Sequence, residues 1–181
     1  MIKSLQSLGI IVLLLSFSAC ATFKAQYADK MSMNSFPEDK EIEHTFYLIG
    51  DAGNSPLGGK AIALQMMEKQ LQKASENSTA IFLGDNIYPS GLPKESNKRR
   101  AFAAHQLDAQ TSIVKDFKGR AIFIPGNHDW YSKGLEGLKR QEKYIEDIIG
   151  KNTFLPENGC RIEKIHLSLS LIHISEPTRR S

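Results

Sequence analysis

Thr45-Phe46-Tyr47-Leu48-Ile49-Gly50-Asp51-Ala52-Gly53 is an apolar, strand-forming run that passes straight into Gly-Asp-Ala-Gly, so a carboxylate stands at the end of a β-strand. The same device recurs twice. Thr79 to Leu83 leads into Gly84-Asp85-Asn86-Ile87-Tyr88, and Ala121 to Ile124 leads through Pro125 into Gly126-Asn127-His128-Asp129. Open α/β sheets gather ligands outside the carboxyl ends of their strands, which aims Asp51, Asp85 and Asn127 at one crevice.

Helical periods separate these strands. Gly58-Gly59 precedes Lys60 to Ala74, in which Ala63, Met66, Met67, Leu71 and Ala74 recur at helical spacing, and the two methionines read as core. A second helix is predicted over about Ser96 to Phe117, with Phe102, Gln106, Ile113, Val114 and Phe117 along one face. Leu135, Leu138, Ile145, Ile148 and Ile149 make a third, stopped near Gly150. Alternating strands and helices with right-handed crossovers predict an α/β fold, a parallel βαβαβα sheet covered on both faces.

The residue types at the strand ends suit cations. Carboxylate and carbonyl oxygens favour hard metals, while a phenolate or imidazole biases a site toward a transition metal. Two cations about 3.5–4 Å apart can share one bridging carboxylate and one water, lower that water's pKa and clamp a phosphoryl group for in-line attack. Asp85, from the middle segment, is the natural bridge. Gly, Asn and Asp are also the usual residues of turns, so each segment alone carries little weight; three in order, each behind an apolar strand, carry much more. Tyr88, beside Pro89, has the alternative of packing its ring over the loop.

Together these segments resemble the first three motifs of the calcineurin-like metallophosphoesterases, in particular the purple (tartrate-resistant type) acid phosphatase branch. There the pattern is Asp with a small residue and Gly, then Gly-Asp-x-x-Tyr, then Gly-Asn-His followed by Asp or Glu. Gly50 to Gly53, Gly84 to Tyr88 and Gly126 to Asp129 match in order, and the resemblance spans roughly Phe46 to Cys160. The wider family places His two residues after the first Asp, where this chain has Gly53.

The resemblance implies a partial metallophosphoesterase sandwich represented by its N-terminal half. It assigns Asp51 and Tyr88 to one metal, ferric iron, with Asp85 bridging. Asn127 would bind a second metal, Fe(II), Zn or Mn, through its carbonyl. His128 would face the substrate phosphate as general acid or charge stabiliser. The implied reaction is hydrolysis of a phosphorylated small molecule, a monoester first. A phosphodiesterase or nucleotide hydrolase of the same fold is one alternative, and a catalytically silent surface module is another. The latter arises because family members continue into strands that deliver a His to the second metal and a shared Gly-His-x-His pair. The later histidines here, His166 and His173, lie in no such motif and receive no ligand role. One metal would keep Asp51, Tyr88 and Asp85 while the other kept only Asp85 and Asn127, so this polypeptide by itself is expected to be inactive.

The termini read differently from the middle. Met1-Ile2-Lys3, the apolar stretch Leu8 to Phe17 and Ser18-Ala19-Cys20 form a signal peptide, too short to cross a bilayer. Ser-Ala-Cys also resembles a bacterial lipobox, in which Cys20 is lipidated and anchors the protein to a membrane in the periplasm or at the cell surface. Cleavage after Ala21, with secretion, is the alternative. Residues 21–43 have no period and suit a tether, and residues 44–166 form the domain. Residues 167–181 resemble a translated sequencing adapter, so a non-native tail is expected from Leu167 onward, with a genuine short strand and polar tail as the alternative. A sheet lacking its second layer would expose an edge strand and apolar surface.

Composition narrows the rest. With 181 residues the chain can bury one core of ordinary size, and a formal charge of +3 is too slight to argue for nucleic acid. Two cysteines exclude a disulfide framework, and Cys160 is a buried thiol or pairs outside the chain. Lys98, Arg99 and Arg100 read as a solvated helix start. His44 and His105 read as incidental, and Trp130 and Tyr131 as cleft wall or packing.

Overall fold

The fold is given by a computed structural model, which describes residues 42–157, 162–167 and 170–174. Cys20, the signal segment, nearly all of the tether, Cys160 and most of the expected tail lie outside the described residues. The elements run β1 (Thr45–Ile49), α1 (Ile62–Leu71), β2 (Ser78–Phe82), α2 (Arg100–Val114), β3 (Arg120–Phe123), α3 (Asn127–Trp130), α4 (Leu135–Ile149), β4 (Glu163–Leu167) and β5 (Ser170–Ile174). The three predicted strands and three predicted helices all form, each helix at or inside its expected limits. The one-turn helix α3 follows directly from the third motif, where no helix was expected.

Strands β1, β2 and β3 are parallel and lie side by side in chain order, with Thr45 opposite Ser78 and Thr79 opposite Arg120. This order corrects one expectation. Two right-handed crossovers stepping in the same direction must place both helices on the same face. Accordingly α1 packs on α2, and α2 on α4. Tyr47, Ile49, Ala80, Phe82, Ala121 and Phe123, alternating along the strands, join the helices in the main core. At its centre Phe82 and Phe123 stack with centroids 4.0 Å apart and planes 5° from parallel. The opposite face carries a separate cluster of Ile81, Ile122, Ile124 and Leu155, while Phe46 and Leu48 on β1 are 38% and 60% exposed.

The helix faces also shift from expectation. In α1 the buried positions are Leu64, Met67 and Leu71, whereas Met66 points to solvent at 64% exposure and Ala63 is exposed. Only one of the two methionines is core. Met67, Leu71 and Ala74 keep their expected place on the buried face, and Leu64 takes the place of Ala63 there, where α1 packs on α2 and β1. Leu135 and Ile148 of α4 are likewise exposed, leaving Leu138 and Ile145 as its buried anchors.

An extended segment at Thr153 to Leu155 covers part of the far edge of β3. Phe123 donates to the Thr153 carbonyl at 2.7 Å, and Leu155 donates to that of Phe123 at 2.8 Å. Beyond it, β4 and β5 form an antiparallel pair in which His166 lies opposite Leu171 and His173 opposite Lys164.

Candidate metal centre

Three loops meet at the carboxyl ends of β1, β2 and β3, and glycines let them touch. A Cβ on Gly84 (φ +101°) would lie 2.7 Å from both the Cα and the nitrogen of Gly126, and one on Gly53 would lie 2.5 Å from the Ile87 nitrogen. Only backbone surrounds these points, so nothing can swing aside. Main-chain bonds lock the approach: Asp51 donates to Gly84 at 3.2 Å, Gly53 to Asp85 at 3.0 Å, and Tyr88 back to Gly53 at 3.1 Å. Asp51 (φ 54°) and Asp85 (φ 53°) both adopt the left-handed conformation, unusual outside glycine. Two such residues together mark a shape held in place by its surroundings.

The side chains then converge. The Tyr88 hydroxyl hydrogen-bonds to a carboxylate oxygen of Asp51 and, at 2.9 Å, to Oδ2 of Asp85. Asp85 Oδ1 accepts the His128 backbone N–H at 3.0 Å, tying the second loop to the third. The His128 ring lies 4.4 Å from that of Tyr88 and its Nδ1 pairs with the Pro89 carbonyl at 2.8 Å. The bond to Asp51, burial and the bond and charge of Asp85 all push the phenol of Tyr88 above its ordinary range. Two anionic oxygens and one phenol oxygen within mutual bonding reach are the donor set of a hard or borderline cation, and Asp51, Asp85 and Tyr88 fit that role.

Asn127 is less committed. Its amide Nδ2 donates to the Tyr131 hydroxyl at 2.9 Å, and the side chain is exposed. The structure thus gathers Asp51, Asp85, Tyr88 and His128 by direct contacts, with Asn127 held one residue away from His128. Among the described residues no group of three His, Cys, Asp or Glu side chains is placed to hold a metal.

Sequence reading gave no role to Asp129, which proves to be the internal brace of the site. Fully buried, it accepts Gly126 N–H at 2.7 Å, the backbone and side-chain nitrogens of Asn86 at 3.2 Å each, and Gln141 Nε2 at 3.1 Å. Burial raises its carboxyl to about 6 against the pull of those donors. The available signal was an acidic residue three places after the residue that starts a helix, half of a capping box. Buried glutamines extend the brace: Gln106 exchanges two bonds with the backbone of Ser55 (2.7 and 3.2 Å), and Gln110 donates to the Asn86 carbonyl at 2.7 Å.

The remaining sequence candidates resolve individually. Tyr131 is 58% exposed with its ring 5.1 Å from His128, a wall of the cleft, whereas Trp130 packs against the core. His44 pairs with Thr79 Oγ1 at 2.9 Å and His105 with the Pro56 carbonyl at 2.7 Å, both away from the carboxylates. The basic cluster is divided: Arg100 bonds the Pro93 carbonyl at 2.8 Å and sits 5.5 Å over the Tyr144 ring, so it is no solvated residue.

No curated protein and no solved structure matches the chain. A family model described as calcineurin-like phosphoesterase matches residues 44–176, well over half of its length. With its carboxylates brought together at the ends of parallel strands, the chain belongs to the calcineurin-like phosphoesterase family, whose members hydrolyse phosphoesters with divalent metal ions.

Proposed function

We propose that this chain carries the first half of a purple acid phosphatase-type centre, acting on phosphate monoesters with two metal ions. The observation that carries the reading is the Tyr88 hydroxyl resting on the carboxylates of both Asp51 and Asp85. Gly53 supports it from the other side. The imidazole that the wider family places there has no room beside the Asn86–Ile87 backbone, and the tyrosine stands in as the additional ligand.

Asp51 and Tyr88 would hold one cation, Asp85 both, and Asn127 the second. Bound cations would supply a water of lowered pKa and neutralise the phosphoryl oxygens. His128 is placed to act on the substrate itself. Its Nδ1 is engaged by Pro89, which fixes the ring and leaves Nε2 to meet a phosphate oxygen or protonate the departing alkoxide. Tyr131 limits the cleft beside it. Export and lipidation at Cys20 would hold this chemistry at a membrane surface outside the cytoplasm.

Visible spectroscopy tests the reading. The full-length protein loaded with iron is expected to show a tyrosinate-to-iron charge-transfer band that disappears in Tyr88→Phe, together with faster release of the aryl alcohol from an aryl monoester than from the matching diester. A colourless iron-loaded protein overturns the assignment of Tyr88, and a preference for the diester overturns the monoesterase reading.

A further inference from the structure

We propose that the basic turn beside His128, with Arg99 as its principal contact, is a subsite for a second anionic group, so that the preferred substrates are phosphate esters bearing another phosphate or carboxylate. This deepens the phosphatase reading and rests on it for the placement of the reacting phosphate. Arg99 Nη1 donates to Ser90 Oγ at 3.0 Å, while the adjacent residue, Pro89, offers its carbonyl to His128 Nδ1 at 2.8 Å. Guanidinium and imidazole therefore hold to neighbouring residues, whose Cα atoms lie about 3.8 Å apart.

What sets Arg99 apart is that its charge is uncompensated. Among the described residues its one side-chain bond is to a neutral hydroxyl, whereas Arg100 and Arg140 are each drawn into the structure by backbone carbonyls and, for Arg100, an aromatic ring. The side chain is exposed, as are Lys94 and Lys98 on the same turn, and Glu95 is the one acid among them. The turn is not loose. Arg100 grips Pro93, and Arg140 bonds Leu92 at 3.1 Å and Ser132 at 3.0 Å, fixing the turn against the third loop. A guanidinium held by one nitrogen, with its other donors open, is suited to a paired contact with phosphate or carboxylate oxygens. Asp51 and Asp85 make the centre itself negative, so a positive flank on the approach would also draw anionic substrates inward.

The test compares propane-1,3-diyl bisphosphate with propyl phosphate on the full chain with Mn²⁺ supplied, by isothermal titration in the cold, with phosphate release followed separately. The wild type is expected to bind the bisphosphate roughly tenfold more tightly, about the yield of one charge-assisted contact. Arg99→Gln, which retains an N–H donor for Ser90 but no charge, should erase that advantage while changing propyl phosphate affinity less than about threefold, and Arg99→Lys should restore most of it. Equal weakening of both ligands in Arg99→Gln, no change in either, or a wild type without preference overturns the subsite. A wild-type preference without any phosphate release leaves the subsite standing, and the phosphatase reading is refuted instead only if the full-length protein supplied with metal also releases none.

Discussion

Asp129 shows how much of a surface site depends on one residue that no substrate reaches. Four N–H groups from three separate elements close on its two oxygens, so removing either oxygen leaves buried donors without a partner. Asp129→Asn keeps the shape but turns an amide NH₂ toward those donors, and is expected to lower unfolding stability by about 1–3 kcal/mol in urea titrations. Because the same carboxylate orients the loop bearing Asn127 and His128, the variant should also weaken metal affinity roughly 10–100-fold, as losses behind a metal centre do. Tyr88 and His128 were singled out by the family resemblance alone, whereas the meeting of Asp51 and Asp85 was legible from their place behind apolar runs. Asp129's function was not, since the sequence carries no sign that Gln141 and Asn86 arrive at it from distant positions.

The helices serve two purposes. One side of each supplies apolar core, but α2 also turns Gln106 and Gln110 inward to hold the first and second loops, and these contribute bonds rather than hydrophobic contact. A helical period identifies a buried face without saying which polar residue on it will find a partner. The tie between α2 and α4 includes a Tyr144 hydroxyl donating to Asp108 at 2.7 Å. Burial first, then that bond and the carboxylate charge, push the phenol up to about 12 from 10. A folded-state value above the unfolded one gives stability that is complete below pH 10 and lost as pH rises through 12. Thermal unfolding between these pH values should therefore fall more steeply for the wild type than for Tyr144→Phe, which has no proton to lose. Parallel slopes would show that the bond contributes nothing to the alkaline limb.

For the whole molecule the decisive feature is a sheet whose strands lie in chain order with helices on one side. The helix-covered core is anchored by the stacked Phe82 and Phe123, both fully buried, and Phe82→Ala is expected to cost about 3–5 kcal/mol, read as a lowered denaturation midpoint with unchanged slope. The sequence by itself determined the three parallel strands, the three longer helices and the run of oxygen donors at the strand ends, because periodicity and turn chemistry act between neighbours along the chain. Only the tertiary structure decided that both crossovers cover one face, that Met66 faces solvent, that Asp129 braces the third loop and that Arg99 bonds Ser90 next to the Pro89 that holds His128. Each of those depends on which distant segments become neighbours, and a local pattern holds no record of that.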